Sequence, residues 1–313
     1  MKNVFLLLLF VIFGFVTVNS QINYQDSTVQ AITYWRLNES YTYEITQGKN
    51  KNKEGGFDEE ELIKSEVKVT VIDSTETSYT IEWQFLKHNI PNLDRMPELK
   101  NLLDKKRYIY TTDELGEFQE LLNWEEVRDN MIATTKIVLN SANSTNDSLN
   151  NQVNLFTESL MTKEYVEQKV IEPVNLFHTF FGAEYQLGET LESEIEIPIP
   201  LGNIQSIKAQ VMIWLDSIDE EYDMYTLCYE QKIDQDVVKK LIGRVINELS
   251  DKLNTENRSN IEDEISKQEL DHRVTVYSVL DNTGWPVDIT ATTKINIGNE
   301  QQNKLIRIRM MYD

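Results

Sequence analysis

Cysteine is nearly missing from this 313-residue chain: Cys228 stands alone. No intramolecular disulfide can form, so stability has to come from core burial rather than covalent staples. Lipid attachment at an N-terminal cut is excluded as well, because no cysteine lies near one. Cys228 sits in the alternating run Tyr222 to Gln231 and reads as a small buried apolar side chain.

Histidine is scarce too. His88, His178 and His272 lie far apart in sequence, and none belongs to a His-x-x-x-His arrangement, so neither a metal nor any other cofactor is expected. Glycine is sparse, its only adjacent pair, Gly55-Gly56, falls in a charged stretch, and no phosphate-cradling loop or Gly-x-Ser-x-Gly elbow occurs. The stretch Ser65-Glu66-Val67-Lys68 has the spacing of a serine–lysine pair, but it lies in an alternating strand. Residues three apart then face opposite sides, and the lysine cannot activate the serine. Cations are outnumbered, 30 against 52 acids, for a net charge of −22. That surface repels phosphate backbones and anionic head groups, which argues against nucleic-acid binding and electrostatic membrane docking.

One long apolar run is present, Val4 to Phe15, preceded by Lys2 and followed by Val18-Asn19-Ser20. This is the pattern of a secretory signal peptide over residues 1–20, cleaved after Ser20 to leave Gln21 first. Thr17 and Asn19 interrupt it before the roughly 20 apolar residues a bilayer span needs. The expected location is periplasmic or extracellular, with no membrane span once the leader is removed.

Period-two alternation dominates the rest, as half-buried antiparallel strands require. Tyr41, Tyr43 and Ile45 open the series; Val67, Val69 and Val71 then pair as a hairpin with Tyr79, Ile81, Trp83 and Phe85. Arg107 to Thr112 leads through Asp113-Glu114-Leu115-Gly116 into Phe118, a type I turn closed by a left-handed glycine. Ile207, Ala209, Val211, Ile213 and Leu215 pair with Tyr222 to Gln231 across an acidic turn. A last meander runs from Val274 through Asp281-Asn282-Thr283-Gly284 and Trp285 to Met311. The two Asp-x-x-Gly turns hint at a pseudo-repeat. In Glu194 to Leu201, Pro198 and Pro200 share one parity and lose amide donors along one side, which marks an edge strand.

Helices are expected in three places. Asn123 and Glu126 form a capping box before the stripe Trp124, Val127, Met131 and Val138, with a further stripe at Val153, Phe156 and Leu160. Glu172-Pro173 opens a short helix that exits at Gly182. Asp234 caps a third, whose apolar face runs from Val237 to Leu253. Gly48 to Glu61, Asn140 to Asn151 and Asn254 to Asp271 read as loops. The fold class is therefore α+β: a large curved antiparallel sheet with helices covering one face, half-barrel-like. Residues 21–313 form a single domain, or, alternatively, two lobes of about 21–182 and 183–313.

The order of a leader, strand hairpins, mid-chain helices including Asn123-Trp124-Glu125-Glu126-Val127, and a meander through Asp281-Asn282-Thr283-Gly284-Trp285-Pro286 resembles uncharacterised secreted β-rich proteins of Bacteroidota. More distantly, the layout is similar to the half-barrel carriers of lipoproteins and lipids in the bacterial envelope. That resemblance implies a curved sheet and supplies no catalytic residue.

The sequence points to a binding protein rather than an enzyme, one that holds an apolar ligand or lipidated partner between sheet and helices. The candidate lining residues are Trp83, Phe85, Leu176, Phe177, Phe180, Phe181 and Trp214, bulky apolar side chains on two hairpins and a short helix. A structural or assembly protein of the cell envelope, binding another protein through the Glu194–Leu201 edge, is the alternative. A glycan or peptide hydrolase is the third reading, since 52 acidic residues always provide some carboxylate pair.

Overall fold

The computed structural model describes residues 21–51, 57, 62–141, 162–198, 206–239, 270–298 and 300–312. The expected leader, the stripe at Val153, Phe156 and Leu160, and most of the helix expected after Asp234 lie outside these residues.

The chain is β-rich. Its strands are β1 (Ile22–Asn23), β2 (Thr28–Ala31), β3 (Ser40–Lys51), β4 (Ile63–Ser74), β5 (Ser78–Asn89), β6 (Arg107–Asp113) and β7 (Phe118–Leu121), followed by β8 (Ala183–Gln186), β9 (Thr190–Pro198), β10 (Ser206–Asp219), β11 (Met224–Ile233), β12 (Leu270–Asp281), β13 (Pro286–Ile297) and β14 (Glu300–Met311). Eleven form one sheet in the order β7-β6-β5-β4-β3-β14-β13-β12-β11-β10-β9, every neighbouring pair antiparallel, and β1-β2-β8 form a small second sheet. The large sheet is not a closed barrel: among the described residues β7 and β9 are its two edges. Among the described residues helices are few: α1 (Pro97–Leu103), α2 (Trp124–Ser141) and α3 (Glu172–Phe177), with a helical turn Lys163–Tyr165 running into a π-turn Val166–Val170.

Alternation sets the strand faces. Val67, Val69 and Val71 are fully buried, as are Ile81 and Trp83, while Lys68, between Val67 and Val69, and Gln84, after Trp83, are exposed. Gly48 to Glu61, expected as a loop, instead begins as strand, because β3 continues to Lys51 against β14. That pairing sets Tyr43 opposite Met310 and Ile45 opposite Ile308, all four buried, and it joins the N-terminal and C-terminal halves in one sheet. Among the described residues β9 is an edge strand paired to β10, as expected for Glu194–Pro198, while Ile199, Pro200 and Leu201 of that expected strand lie outside the described residues.

Both Asp-x-x-Gly turns form with the same chemistry. Asp113 Oδ1 accepts from the amides of Leu115, Gly116 and Glu117 at 2.9–3.0 Å. Asp281 Oδ1 accepts from the amides of Thr283 and Trp285 at 2.9 and 3.0 Å. Gly116 and Gly284 take the positive φ values, 99° and 84°, that close such turns. Asp234 caps residues 235–239 as expected, its Oδ1 accepting from Asp236 N at 2.8 Å. The capping box at α2 differs from expectation: Asn123 Oδ1 accepts the β6 amide of Ile109 at 2.8 Å, and Asn123 Nδ2 donates to Glu126 Oε2 at 3.2 Å. Asn123 thus ties the helix start to the sheet.

Candidate functional site

An aromatic interior forms where α3 and the segment before β3 lie on the large sheet. Phe177 meets Trp83 of β5 at 5.3 Å between ring centroids, Tyr43 of β3 at 5.4 Å, and Trp285 beside β13 at 6.2 Å. Trp35 stacks on Trp285 at 4.4 Å and meets Phe181 edge-on at 5.7 Å. Tilted and edge-to-face pairs at these separations add to the area buried. Of the candidate lining residues, Trp83, Phe177, Phe180 and Phe181 are buried within this core, and Leu176 packs half-buried against it.

His178 is the polar centre of the same region. Its Nδ1 lies 2.7 Å from the Gly116 carbonyl, which can only accept, so this nitrogen carries the proton. Nε2 of the neutral ring then accepts from Tyr110 Oη at 2.8 Å. Burial drives the His178 pKa down to about 4, against the small opposing effect of the Gly116 carbonyl. The imidazole is a buried, neutral brace.

Phe85 is buried in the same core, away from the Phe177 ring contacts, stacked on His88 with centroids 5.5 Å apart and meeting Tyr108 edge-on at 5.3 Å. Lys106 Nζ lies over both rings, 4.2 Å from the Phe85 centroid and 5.3 Å from that of Tyr108. His88 Nε2 faces the Leu103 carbonyl at 3.2 Å and Nδ1 faces Ser65 Oγ at 2.9 Å. Burial and then the Lys106 charge lower the His88 pKa, against the Leu103 carbonyl and Asp104. Ser65 and His88 therefore form a neutral hydroxyl–imidazole pair. The far nitrogen meets an uncharged carbonyl rather than the carboxylate that would stabilise an imidazolium in a nucleophile triad. Lys68 is exposed and takes no part.

A cavity of about 280 Å³ opens beside this cluster. Leu102 and Leu103 at the end of α1, Tyr108 of β6, Val127 and Met131 of α2, and Val170 of the π-turn form its apolar walls. Lys106, Arg107, Lys169, Asn130 and Thr134 complete the lining. Val127, Asn130, Met131 and Thr134 recur at i, i+3, i+4 and i+7, so α2 presents a single face to the space. Its volume is near the lower end of the roughly 300–1,000 Å³ range of small-molecule pockets.

Sequence reasoning located the rings but not this opening. Phe85 is the candidate residue that adjoins it, through Tyr108 and Lys106. Trp214 lies apart from the others. Val211 and Leu215 point to the core, so Trp214 takes the opposite face of β10, across from Cys228, which in turn lies across from the exposed Tyr277. Burial raises the Cys228 thiol pKa to about 12, with a smaller contribution from Asp216, which leaves no thiolate for chemistry. One local signal did mark the cavity: Lys105-Lys106-Arg107 is a run of cations in a strongly acidic chain.

Among the described residues no group of three or more His, Cys, Asp or Glu side chains converges as metal ligands, and no helix is long and apolar enough to cross a membrane. No family model and no curated protein matches the chain. A solved structure described as lipid–protein interactions in lipovitellin is similar, with a TM-score of 0.39 and 9% identity over 88% of this chain and 25% of that one. The chain thus spans about a quarter of that neighbour's length. At that identity and TM-score no function is carried across. The resemblance to secreted proteins of Bacteroidota gains no support from these comparisons.

Proposed function

We propose that this protein is a binding protein acting outside the cytosol, which holds a small apolar ligand in the cavity between β6, α1 and α2. The observation that carries this reading is the cavity itself: a concave opening of about 280 Å³ whose walls are largely apolar, with a few polar groups converging on it.

In this reading the large sheet curls around the aromatic interior as a half-barrel, with α3 covering one face and the chain working as one domain. Contacts of the two turn glycines support the curl. A Cβ on Gly116, in the β6–β7 turn, would lie 2.4 Å from Thr33 Cγ2, and one on Gly284, in the β12–β13 turn, 2.3 Å from the Ile32 carbonyl oxygen. β6 and β13 are five strand steps apart, which is about 24 Å in a flat sheet. Adjacent residues, whose Cα atoms are about 3.8 Å apart, reach both turns only if the sheet bends.

The test uses protein recovered from the periplasm or medium of its host. Its intact mass should begin at Gln21, and it should raise the fluorescence of the neutral probe N-phenyl-1-naphthylamine in a saturable way. Met131→Trp, which fills the cavity, should abolish the signal while leaving the circular dichroism unchanged. A retained leader overturns the location, and undiminished probe binding by Met131→Trp overturns the site.

A further inference from the structure

We infer that the ligand of this cavity is an amphiphile with one apolar tail and one anionic head, the head being held by Lys106 and Lys169. The inference rests on the cavity reading above and adds the chemical class of its occupant.

Three cations line an otherwise apolar space, and they are not equivalent. Arg107 is already neutralised, its Nε 3.3 Å from Glu126 Oε1 and its Nη1 3.8 Å from Glu82 Oε1. Lys106 is positioned by rings instead, over Phe85 and Tyr108, an arrangement that fixes the ammonium without consuming its charge. Lys169 sits on the π-turn across the same opening, exposed. Among the described residues no carboxylate is paired with Lys106 or Lys169, and no acidic side chain lines the cavity beside them.

In a chain with 52 acids, a cavity lined by three cations and no acid is a local inversion of charge. The net negative field repels anions generally, so an anion can bind only where near cations outweigh it at short range. A carboxylate at the mouth would replace water on both ammonium groups with charge-assisted hydrogen bonds, while its chain fills the space between Leu103, Val127 and Met131. A carboxylate and a phosphate head share this chemistry; the apolar walls select a head that carries a chain, and a single-chain fatty acid is the occupant the volume suits.

Competition against N-phenyl-1-naphthylamine tests this with dodecanoate, dodecan-1-ol and inorganic phosphate. Wild-type protein should bind dodecanoate more tightly than dodecan-1-ol, the advantage shrinking at high salt, and phosphate should not displace the probe. In the double variant Lys106→Gln/Lys169→Gln the dodecanoate affinity should fall about tenfold or more, with dodecan-1-ol within about twofold. Because Lys106 also packs on Phe85, retained dodecan-1-ol binding reports that the cavity is intact, and Lys169→Gln alone should give part of the loss. Equal wild-type affinity for acid and alcohol, or equal loss of both in Lys169→Gln, overturns the anionic head but leaves the cavity reading standing. Displacement by phosphate alone overturns the tail. Failure of wild-type protein to bind any of these probes overturns the cavity reading itself.

Discussion

The two ends of the large sheet use similar side chains to opposite effect. At the turn end, where the β6–β7 and β12–β13 turns lie, Trp35, Phe177, His178, Phe181 and Trp285 meet ring against ring, and Gly116 and Gly284 let Ile32 and Thr33 approach to contact. At the opposite end, where β5 leaves for α1 and β6 enters, Phe85 and Tyr108 also pair, but α1, α2 and the π-turn cross above them and leave a cavity. The buried ionisable group at the first end, His178, is held neutral, whereas at the second Lys106 and Lys169 line the opening beside apolar walls. The contrast teaches that aromatic content does not make a site. Rings approached from every side close the space, and short helices spanning strand ends leave it open.

Truncation at the closed end should break the molecule first. Trp83→Ala removes a fully buried indole that packs edge-on against Phe177 and should lower the unfolding free energy by about 3–5 kcal/mol, read from urea denaturation. A cost close to that of an exposed site would mean that the closed end is no better packed than the cavity end.

The neutral brace should give the closed end its own pH signature. His178 has a folded pKa near 4, below its ordinary value of 6.5, so the unfolded chain takes up the proton first as pH falls. Its contribution is complete above about pH 6.5 and is lost progressively down to about pH 4, on the order of 3 kcal/mol in all. His88 and His272 are shifted in the same direction by burial and add to the slope. Urea midpoints measured across this window should fall with acid, and His178→Gln should remove the largest part of the fall while lowering stability at neutral pH. An unchanged slope in that variant would place the acid sensitivity elsewhere.

Gly284→Ala should have the smallest effect of the three, about 2 kcal/mol, because it combines a positive φ with a Cβ 2.3 Å from the Ile32 carbonyl oxygen. Thermal unfolding would read it, and ligand binding at the far end should be unaffected. Weakened binding together with stability loss would show that the two ends are coupled.

Much of this fold was legible residue by residue. The alternating runs became strands, and Asp113 and Asp281 built the turns they announced, since a carboxylate two to four residues before free amides needs no distant partner. Pro198 sits on an edge strand for a similarly local reason, and Pro200 lies outside the described residues. Partners set by long-range contact were not legible. Asn123 was expected to cap its own helix, yet its oxygen serves an amide of β6, because the strand end was close enough to compete. Phe177 and Trp214 looked alike as bulky apolar residues; burial in the ring cluster separated one from the other only after β10 had taken its register.

By itself, the sequence determined that this protein has no internal disulfide, that its strands are antiparallel and half-buried, and which aspartates and glycines turn them, because these properties follow from composition and from neighbours within a few residues. Tertiary structure alone decided that β3 pairs with β14, that His178 is sealed between Tyr110 and Gly116, and that Lys106 and Lys169 flank one cavity. Each of these joins segments distant in the chain, and no local periodicity encodes such a meeting; it follows from the register of the whole sheet and the space its helices leave unfilled.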